Sequence, residues 1–167
     1  MSQLEPGQKA PDFTLLDANG ESVKLSGFRG KKVLLYFYPK ALTPGCTTQA
    51  CEVSSARVEL AARDIVPLGV SPDKPALLKR FDEQKALGFT LLSDPDHAVA
   101  EQYGVWGEKK LYGKPYMGLI RSAFLIDESG VIARAWYKVS PKETVPNALK
   151  ATASRTPRQP QKTTAAS

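Results

Sequence analysis

The stretch "KKVLLYFYPK" constrains the fold more than any other part of the chain. Its apolar residues, Val33 to Tyr38, are consecutive rather than alternating, which is typical of a central strand buried on both faces. Directly after it, Thr43 and Pro44 indicate a helix start, with Thr43 as the cap and Pro44 at the first helical position. The sequence therefore predicts a strand, a short loop and a helix that runs to about Arg63.

Two further apolar runs, "IVPLGVS" and "FTLLSD", predict buried strands, and each is followed by a segment that favours a helix. "FTLLDANGESVKL" predicts an N-terminal β-hairpin with a two-residue turn at Asn19-Gly20. "RSAFLID" and "VIARAWYK" predict a second hairpin, and "KETVPNALKATA" predicts a C-terminal helix that contains Pro146. The Gly-punctuated segment "GVWGEKKLYGKPYMGLI" is interpreted as a loop or an edge segment.

The order of these elements predicts an α/β fold with a central mixed β-sheet, helices on both faces and an N-terminal β-hairpin. Parallel buried strands come first, and an antiparallel hairpin closes the sheet. A thioredoxin-like fold satisfies this order.

Composition and charge predict one globular domain with a distinct C-terminal tail. The chain has 167 residues, of which 42% are hydrophobic and 24% charged, and a net charge of +6. Residues 151–167 carry three basic residues and no acidic one, which leaves 20 basic and 17 acidic residues elsewhere. Because basic and acidic residues nearly balance outside the tail, this part of the chain lacks the basic excess that is typical of nucleic-acid-binding proteins. We therefore predict a domain over residues 1–150 and a basic, disordered tail over residues 151–167, for which weak polyanion binding stays open.

The N-terminal segment "MSQLEPGQKAPDF" lacks the apolar stretch of a secretory signal, and no apolar run is long enough to span a bilayer. These features predict a cytoplasmic protein that does not enter the membrane. Structural disulfides are unusual in that compartment. Any pairing of the two cysteines is therefore predicted to be transient and chemical.

Both cysteines, Cys46 and Cys51, lie within "PKALTPGCTTQAC". With Thr43 as the cap, Cys46 becomes the third helical residue, where its backbone N–H has no intrahelical acceptor and the helix dipole presents partial positive charge. This environment favours a thiolate and hence a reactive sulfur. The residue types alone also allow a second interpretation, in which Cys46 is a small apolar residue buried at a helix start.

Cys51 lies five positions after Cys46. On an ideal helix their Cα atoms are about 8.6 Å apart and their side chains about 140° apart around the axis, whereas a disulfide needs Cα atoms within about 7 Å. The two cysteines can therefore bridge only if the first turns of the helix unwind. Cys46 shares a face with Ala50 and Val53, and Cys51 lies on the flank, either as a second thiol that waits for this opening or as an inert residue.

The ligand count disfavours a metal site. A structural zinc site takes four ligands, usually in paired short spacings, and the chain offers two cysteines and one histidine, His97. His97 lies near the start of a predicted short helix and is interpreted as a surface or capping residue. We therefore predict no metal, and a Cys–His hydrolase pair would depend entirely on His97.

The segment "PKALTPGCTTQAC" resembles the active-site segment of the peroxiredoxins, in particular the bacterioferritin comigratory protein (peroxiredoxin Q) group. Pro39, Thr43 and Cys46 match the pattern Pro-x-x-x-Thr-x-x-Cys. The similarity continues through "GVSPDKPALLKRFDEQKALGFTLLSDPDHAVAEQYGVWGEK" and "RSAFLID", and it spans residues 4–150. One departure follows Cys51, where "EVSS" stands in place of the glycine, apolar residue, arginine and aspartate that this group commonly has.

The resemblance implies a role for each matched position. Cys46 would be the peroxidatic cysteine, whose thiolate attacks a peroxide oxygen, and Cys51 would be the resolving cysteine that condenses with the resulting sulfenic acid. Thr43 would orient the peroxide, and Pro39 would shield the pocket from water. Arg121, which opens "RSAFLID", would stabilise the thiolate and the charge that passes to the leaving oxygen. Without the resemblance, Arg121 is an ordinary strand-edge arginine and Thr43 only a helix cap.

The resemblance further implies an antioxidant, cofactor-free thiol peroxidase that reduces hydrogen peroxide and organic hydroperoxides through one intramolecular disulfide per cycle. Thioredoxin would be the electron donor, with glutaredoxin as the alternative, and the protein would be a monomer. Two other functions fit less well. A redox sensor needs neither Thr43 nor Arg121, and a general disulfide reductase is expected to carry Cys-x-x-Cys.

Overall fold

The computed structural model describes residues 3–153 of the chain. Within this range the strands are β1 (Thr14–Asp17), β2 (Ser22–Lys24), β3 (Lys32–Phe37), β4 (Ile65–Ser71), β5 (Thr90–Ser93), β6 (Trp106–Leu111), β7 (Lys114–Leu119), β8 (Ser122–Ile126) and β9 (Ile132–Trp136). The helices are α1 (Pro44–Ser55), α2 (Arg57–Ala62), α3 (Pro75–Lys85), α4 (Ala98–Gln102) and α5 (Thr144–Ala153), and a short 3-10 helix covers Leu25–Phe28. This order confirms the predicted α/β class.

Seven of these strands form one mixed sheet in the order β2-β1-β5-β4-β3-β8-β9. Strands β3, β4 and β5 are parallel neighbours, whereas β1 joins β5 and β8 joins β3 in antiparallel pairs. The predicted parallel core and closing antiparallel hairpin are therefore confirmed. Strand β3 lies in the interior of the sheet, between β4 and β8, as its unbroken apolar run predicts.

Strand β3 divides the core into two parts because its side chains alternate between the faces of the sheet. Leu34 and Tyr36 belong to a cluster that also contains residues of α1, α2, α3 and α5. Leu35 and Phe37 belong to a second cluster, which contains residues of α4 and of the N-terminal segment. All four side chains are fully buried. Helices thus cover both faces of the sheet, as predicted.

The N-terminal hairpin forms as predicted, but its turn is longer than the Asn19-Gly20 signal indicates. Gly20 takes a left-handed φ of 78°, whereas Asn19 does not, and a two-residue type I′ turn needs both. The Asp17 carboxylate accepts hydrogen bonds from the N–H groups of Asn19 and Glu21. Because the aspartate satisfies these donors, the chain forms a longer loop with Gly20 at its left-handed position.

Strands β6 and β7 form a separate two-stranded antiparallel hairpin where the sequence predicted a loop or an edge segment. Leu111 pairs with Lys114 across Tyr112 and Gly113, whose φ angles are 54° and 79°. Two positive φ values are the mark of a type I′ turn. The signal for this hairpin was weak because tyrosine rarely adopts the left-handed conformation.

The helix predicted after the central strand has the expected extent but is divided at Ala56 into α1 and α2. Next to the division, the Ser54 hydroxyl and the Arg57 guanidinium both donate to the Leu87 carbonyl, at 2.6 Å and 2.8 Å. At position 54, the peroxiredoxin Q group that the sequence resembles commonly has arginine. Here a guanidinium reaches the neighbouring segment from Arg57, three residues later in the chain.

Helix α5 begins at Thr144, so Pro146 lies in its first turn, where a missing N–H is tolerated. The helix continues to Ala153 and includes the first three residues of the predicted tail. Residues 154–167 lie outside the described residues, so the rest of the tail stays a prediction. Across residues 3–153, no helix is long and apolar enough to cross a membrane.

Candidate active site

Strand β3 leads into a tight loop, residues 38–43, that precedes helix α1. Leu42 in this loop has a φ of 67°, a left-handed conformation that residues with a side chain adopt rarely. The Ala41 N–H donates to the Asp73 carboxylate at 2.7 Å, which ties the loop to the segment after β4. The loop therefore lies at the carboxyl ends of two parallel strands, where open α/β sheets commonly form their sites.

Cys46 is the third residue of α1, as predicted, and Pro44 occupies the first helical position. The Thr47 N–H donates to the Thr43 carbonyl at 2.8 Å, the first bond that helix geometry allows from this cap. The Cys46 N–H therefore belongs to the donors that a helix start leaves without an intrahelical partner. Its side chain is a free thiol with 1% exposure, so Cys46 is buried.

Thr43 occupies the N-cap position with an extended backbone, but its side chain makes no cap hydrogen bond. The prediction of Thr43 as the cap residue is therefore confirmed for its position, and its hydroxyl donates to the Lys40 carbonyl at 2.8 Å. A hydroxyl has a single proton and two lone pairs. The Thr43 oxygen can therefore accept a hydrogen bond from a molecule that enters the site.

Arg121 immediately precedes β8, whose Ser122 pairs with Phe37 at the end of β3. Its Nη1 donates to the Gln49 Oε1 at 2.7 Å. Its Nη2 lies 3.1 Å from the place where a Cβ on Gly45 would sit, so a side chain at position 45 would push the guanidinium away. The structure thus brings the predicted arginine onto the turn that contains Cys46.

Gln49 was missed by the reasoning from sequence. It is fully buried, and its Nε2 donates to the Thr144 hydroxyl of α5 at 2.7 Å while its Oε1 accepts from Arg121. A buried amide needs such partners, because an unpaired polar group costs free energy in the core. The available signal was its place three residues after Cys46, where a polar residue shares a helix face with the cysteine.

The other two predicted residues border this turn. Pro39 is half-buried in the loop that follows β3. Cys51 is a free thiol, half-buried, and it packs against the same core cluster as Cys46. Helix α1 is continuous from Pro44 to Ser55, so the two cysteines lie on an intact helix, as predicted.

Tyr36 of β3 and Tyr38, the residue directly after β3, pack in the cluster that contains Cys46. Their ring centroids are 5.5 Å apart. Burial raises the pKa of both hydroxyls well above the ordinary value, and for Tyr36 the nearby Tyr38 adds to this effect. Both side chains therefore stay neutral, and the buried surroundings of Cys46 gain no charge from them.

His97 lies at the start of α4, as the sequence indicated. Its ring stacks on Trp106 with centroids 3.8 Å apart, and its Nδ1 pairs with the Glu101 carboxylate. Among residues 3–153, no group of three or more histidine, cysteine, aspartate or glutamate side chains could hold a metal ion.

Comparisons with known proteins agree with this geometry. Residues 6–135 match the AhpC/TSA family. A putative peroxiredoxin Bcp of Haemophilus influenzae is 57% identical over 143 residues, covering 86% of this chain and 92% of the relative. Peroxiredoxin Bcp of Escherichia coli K12 is 54% identical over 132 residues, covering 79% of this chain and 85% of the relative.

Among solved structures, peroxidoxin BcpB from Mycobacterium tuberculosis aligns with a TM-score of 0.82 at 32% identity, covering 92% of this chain and 100% of that protein. The sequence and the fold therefore lead to the same group of proteins. The chain belongs to the AhpC/TSA family, within the Bcp (peroxiredoxin Q) group of peroxiredoxins, which are thiol peroxidases with a thioredoxin-like fold.

Proposed function

We propose that the Cys46 thiolate performs the peroxidase reaction by attacking the terminal oxygen of a hydroperoxide. An S–O bond forms while the O–O bond breaks, so that sulfur is oxidised to a sulfenic acid and the peroxide is reduced. The leaving oxygen takes up a proton and departs as water or as an alcohol. The observation that carries this assignment is the Arg121 guanidinium, which packs against Gly45 in the same helical turn as Cys46.

Three residues are proposed to assist this step. The Arg121 guanidinium, oriented by its 2.7 Å bond to Gln49, stabilises the thiolate and the negative charge that moves to the leaving oxygen. The Thr43 oxygen accepts a hydrogen bond from the hydroperoxyl group, because its own O–H donates to the Lys40 carbonyl. Half-buried Pro39 shields the reacting atoms from water.

Cys51 is proposed as the resolving cysteine. Its thiol attacks the Cys46 sulfenic acid, an S–S bond forms, and one water molecule leaves. Because an intact helix holds the two Cα atoms about 8.6 Å apart, helix α1 must unwind locally before the sulfurs meet. Half-buried Cys51, on the flank of the helix, becomes available through this opening.

The electron donor is proposed from the chemistry of a dithiol cycle, and the compartment and oligomeric state are proposed from the sequence and its resemblance to the peroxiredoxin Q group. We propose that thioredoxin reduces the disulfide by thiol–disulfide exchange, in the cytoplasm, and that the protein acts as a monomer on hydrogen peroxide and organic hydroperoxides. A coupled assay that compares thioredoxin and its reductase with a glutathione and glutaredoxin system separates the two donors.

The test is to treat the reduced full-length protein with one equivalent of hydrogen peroxide and to measure its intact mass. We expect the loss of two hydrogen atoms, and peptide mapping should locate a link between Cys46 and Cys51. C51S should stop at a sulfenic acid that dimedone traps, and C46S should leave the peroxide unconsumed. Peroxide consumption by C46S would overturn the assignment of the nucleophile, whereas normal thioredoxin-driven turnover by C51S would overturn only the resolving role.

A further inference from the structure

A pocket of about 630 Å³ opens beside Arg121, and its lining is strongly basic. Besides Arg121, it is lined by Lys109 and Lys110 of β6 and by Lys138, which follows β9, against a single carboxylate, Glu108. Cations that converge on one concave surface focus their field and attract an anion. The thiol chemistry proposed above does not use any of the three lysines.

Arg121 connects this pocket to the reacting sulfur. The residue lines the pocket, and its Nη2 also lies against Gly45, which directly precedes Cys46. The Val139 N–H, from another lining residue, donates to the Arg121 carbonyl at 2.9 Å. A molecule in the pocket therefore lies beside the same side chain that packs on the nucleophile's turn.

Lys109 is held in place rather than free in solvent. Its Nζ donates to the Leu119 carbonyl at 2.8 Å, and its Cδ lies 3.1 Å from the place where a Cβ on Gly118 would sit. Burial and then the charge of Arg121 lower the pKa of Lys109, while Cys46 acts in the opposite direction. An ammonium that has lost part of its hydration gains more from an anionic partner than one in open water.

Lys138 lies in the turn after β9 and has an unusual backbone conformation. Its φ of 56° is left-handed, a conformation that costs free energy for a residue with a side chain and that is concentrated at functional sites. The next residue, Val139, is buried and bonded to Arg121, so the position of Lys138 is set by the segment that borders the site. Ile120 and Val139 add an apolar wall to the basic pocket.

We propose that this pocket binds the carboxylate of an organic hydroperoxide, with Lys109 and Lys138 as specificity-determining residues and the hydrocarbon part of the substrate against Ile120. The inference rests on the proposed function, because the hydroperoxyl group must reach Cys46. The S–O bond forms at the terminal oxygen, the O–O bond breaks, and the alkoxide takes a proton from solvent to give a hydroxy acid. Sulfur loses the electron pair that the peroxide gains.

The test uses the full-length reduced protein and two probes, γ-hydroperoxyisocaproate and its methyl ester, which differ in charge and by one methyl group. The measured quantity is the ratio of their second-order rate constants for oxidation of Cys46, obtained by rapid quench and thiol alkylation. In the wild type we expect the acid to react about tenfold faster than the ester, the size of effect that one charge-assisted hydrogen bond produces. In K109M/K138M the ratio should fall to about one, since both lysines are removed.

The matched control is K79M/K85M, which loses the same charge from exposed positions on α3 and should keep the wild-type ratio. K138M alone changes one exposed residue and should lower the ratio by about threefold, so the proposal can be tested even if the double variant does not fold. Raising the ionic strength should lower the wild-type ratio without any substitution.

Equal rates for the acid and the ester in the wild type would overturn the proposal, as would a ratio that K109M/K138M leaves unchanged or that the control abolishes. Hydrogen peroxide distinguishes this failure from failure of the proposed function. If hydrogen peroxide oxidises Cys46 while the ratio is near one, only the pocket assignment is wrong. If neither hydrogen peroxide nor the ester oxidises Cys46, the proposed function itself fails.

Discussion

Helix α1 is anchored differently toward its two ends; Cys46 lies in its first turn, whereas Cys51, the eighth of its 12 residues, lies nearer the other end. At the Cys46 end, the anchor belongs to the site, because Gln49 joins the Arg121 guanidinium to the Thr144 hydroxyl. These bonds connect three separate elements: α1, the start of β8 and α5. Removing the anchor would therefore disturb the guanidinium that packs against Gly45, in the turn that contains Cys46.

At the Cys51 end, the anchor does not involve Arg121. Ser54 and Arg57 donate to the Leu87 carbonyl, in the segment between α3 and β5. Cys51 itself is half-buried. This anchor holds the helix against its neighbour without contributing a group to the reaction centre.

The comparison indicates that the two halves of the proposed cycle depend on different bonds. Attack on the peroxide depends on the Cys46 end, where charge is positioned. Disulfide formation depends on how easily the helix opens. It therefore depends on the bonds of Ser54 and Arg57 and on the buried Tyr36, which packs in the same core cluster as the helix. Substitutions at the two ends should therefore change different rate constants.

The largest effect is expected for Q49M. Methionine has the length of glutamine but cannot accept a hydrogen bond from Arg121 in the same geometry, so the guanidinium loses its orientation. We expect the second-order rate constant for Cys46 oxidation by hydrogen peroxide to fall by roughly 10²-fold, the usual effect of losing one aligned donor. Stopped-flow fluorescence measures this rate.

Two variants control for this result. Q49E restores an acceptor for Arg121 and should recover most of the rate, which a merely structural role for Gln49 does not require. Q84M changes an exposed glutamine on α3 and should react like the wild type. If Q49M oxidises Cys46 at the wild-type rate, the bond between Gln49 and Arg121 does not contribute to the attack on the peroxide.

A smaller effect in the opposite direction is expected for S54A/R57A. The Leu87 carbonyl then loses both donors, which destabilises the closed helix by about 1–2 kcal/mol. We expect disulfide formation, measured by quenched-flow mass spectrometry, to become roughly tenfold faster, because the open helix is populated more often. The rate of the first attack should not change.

S55A/R80A is the matched control, because it makes the same two substitutions at exposed positions. It should form the disulfide at the wild-type rate. Slower disulfide formation in S54A/R57A would mean that this anchor promotes the opening of the helix rather than opposing it.

The smallest effect is expected for Y36F. Within the described residues, the buried Tyr36 hydroxyl has no hydrogen-bond partner, so opening of the helix above it would give it access to water. Removing the hydroxyl should stabilise the closed state by roughly 0.5–1 kcal/mol and slow disulfide formation by about threefold. Chemical denaturation and quenched flow measure the two quantities, and Y112F, at a residue that is 95% exposed, is the control.

The parts of the fold that were predicted are those whose causes are local. The consecutive apolar run of β3 and the Thr43-Pro44 helix start placed Cys46 at the third helical position. The hairpin of β6 and β7 was not predicted, because its turn depends on a left-handed Tyr112 that only the pairing of the strands enforces.

The amino-acid sequence by itself determined the central strand, the helix after it and the separation of the two cysteines, because neighbouring residues decide those features through steric preference and hydrophobic pattern. The chemistry around the thiol was decided by the tertiary structure. Arg121 lies 75 positions after Cys46 and reaches it only because β8 pairs with β3. Gln49 acquires its partners, Arg121 and Thr144, by the same kind of non-local packing, which no local pattern encodes.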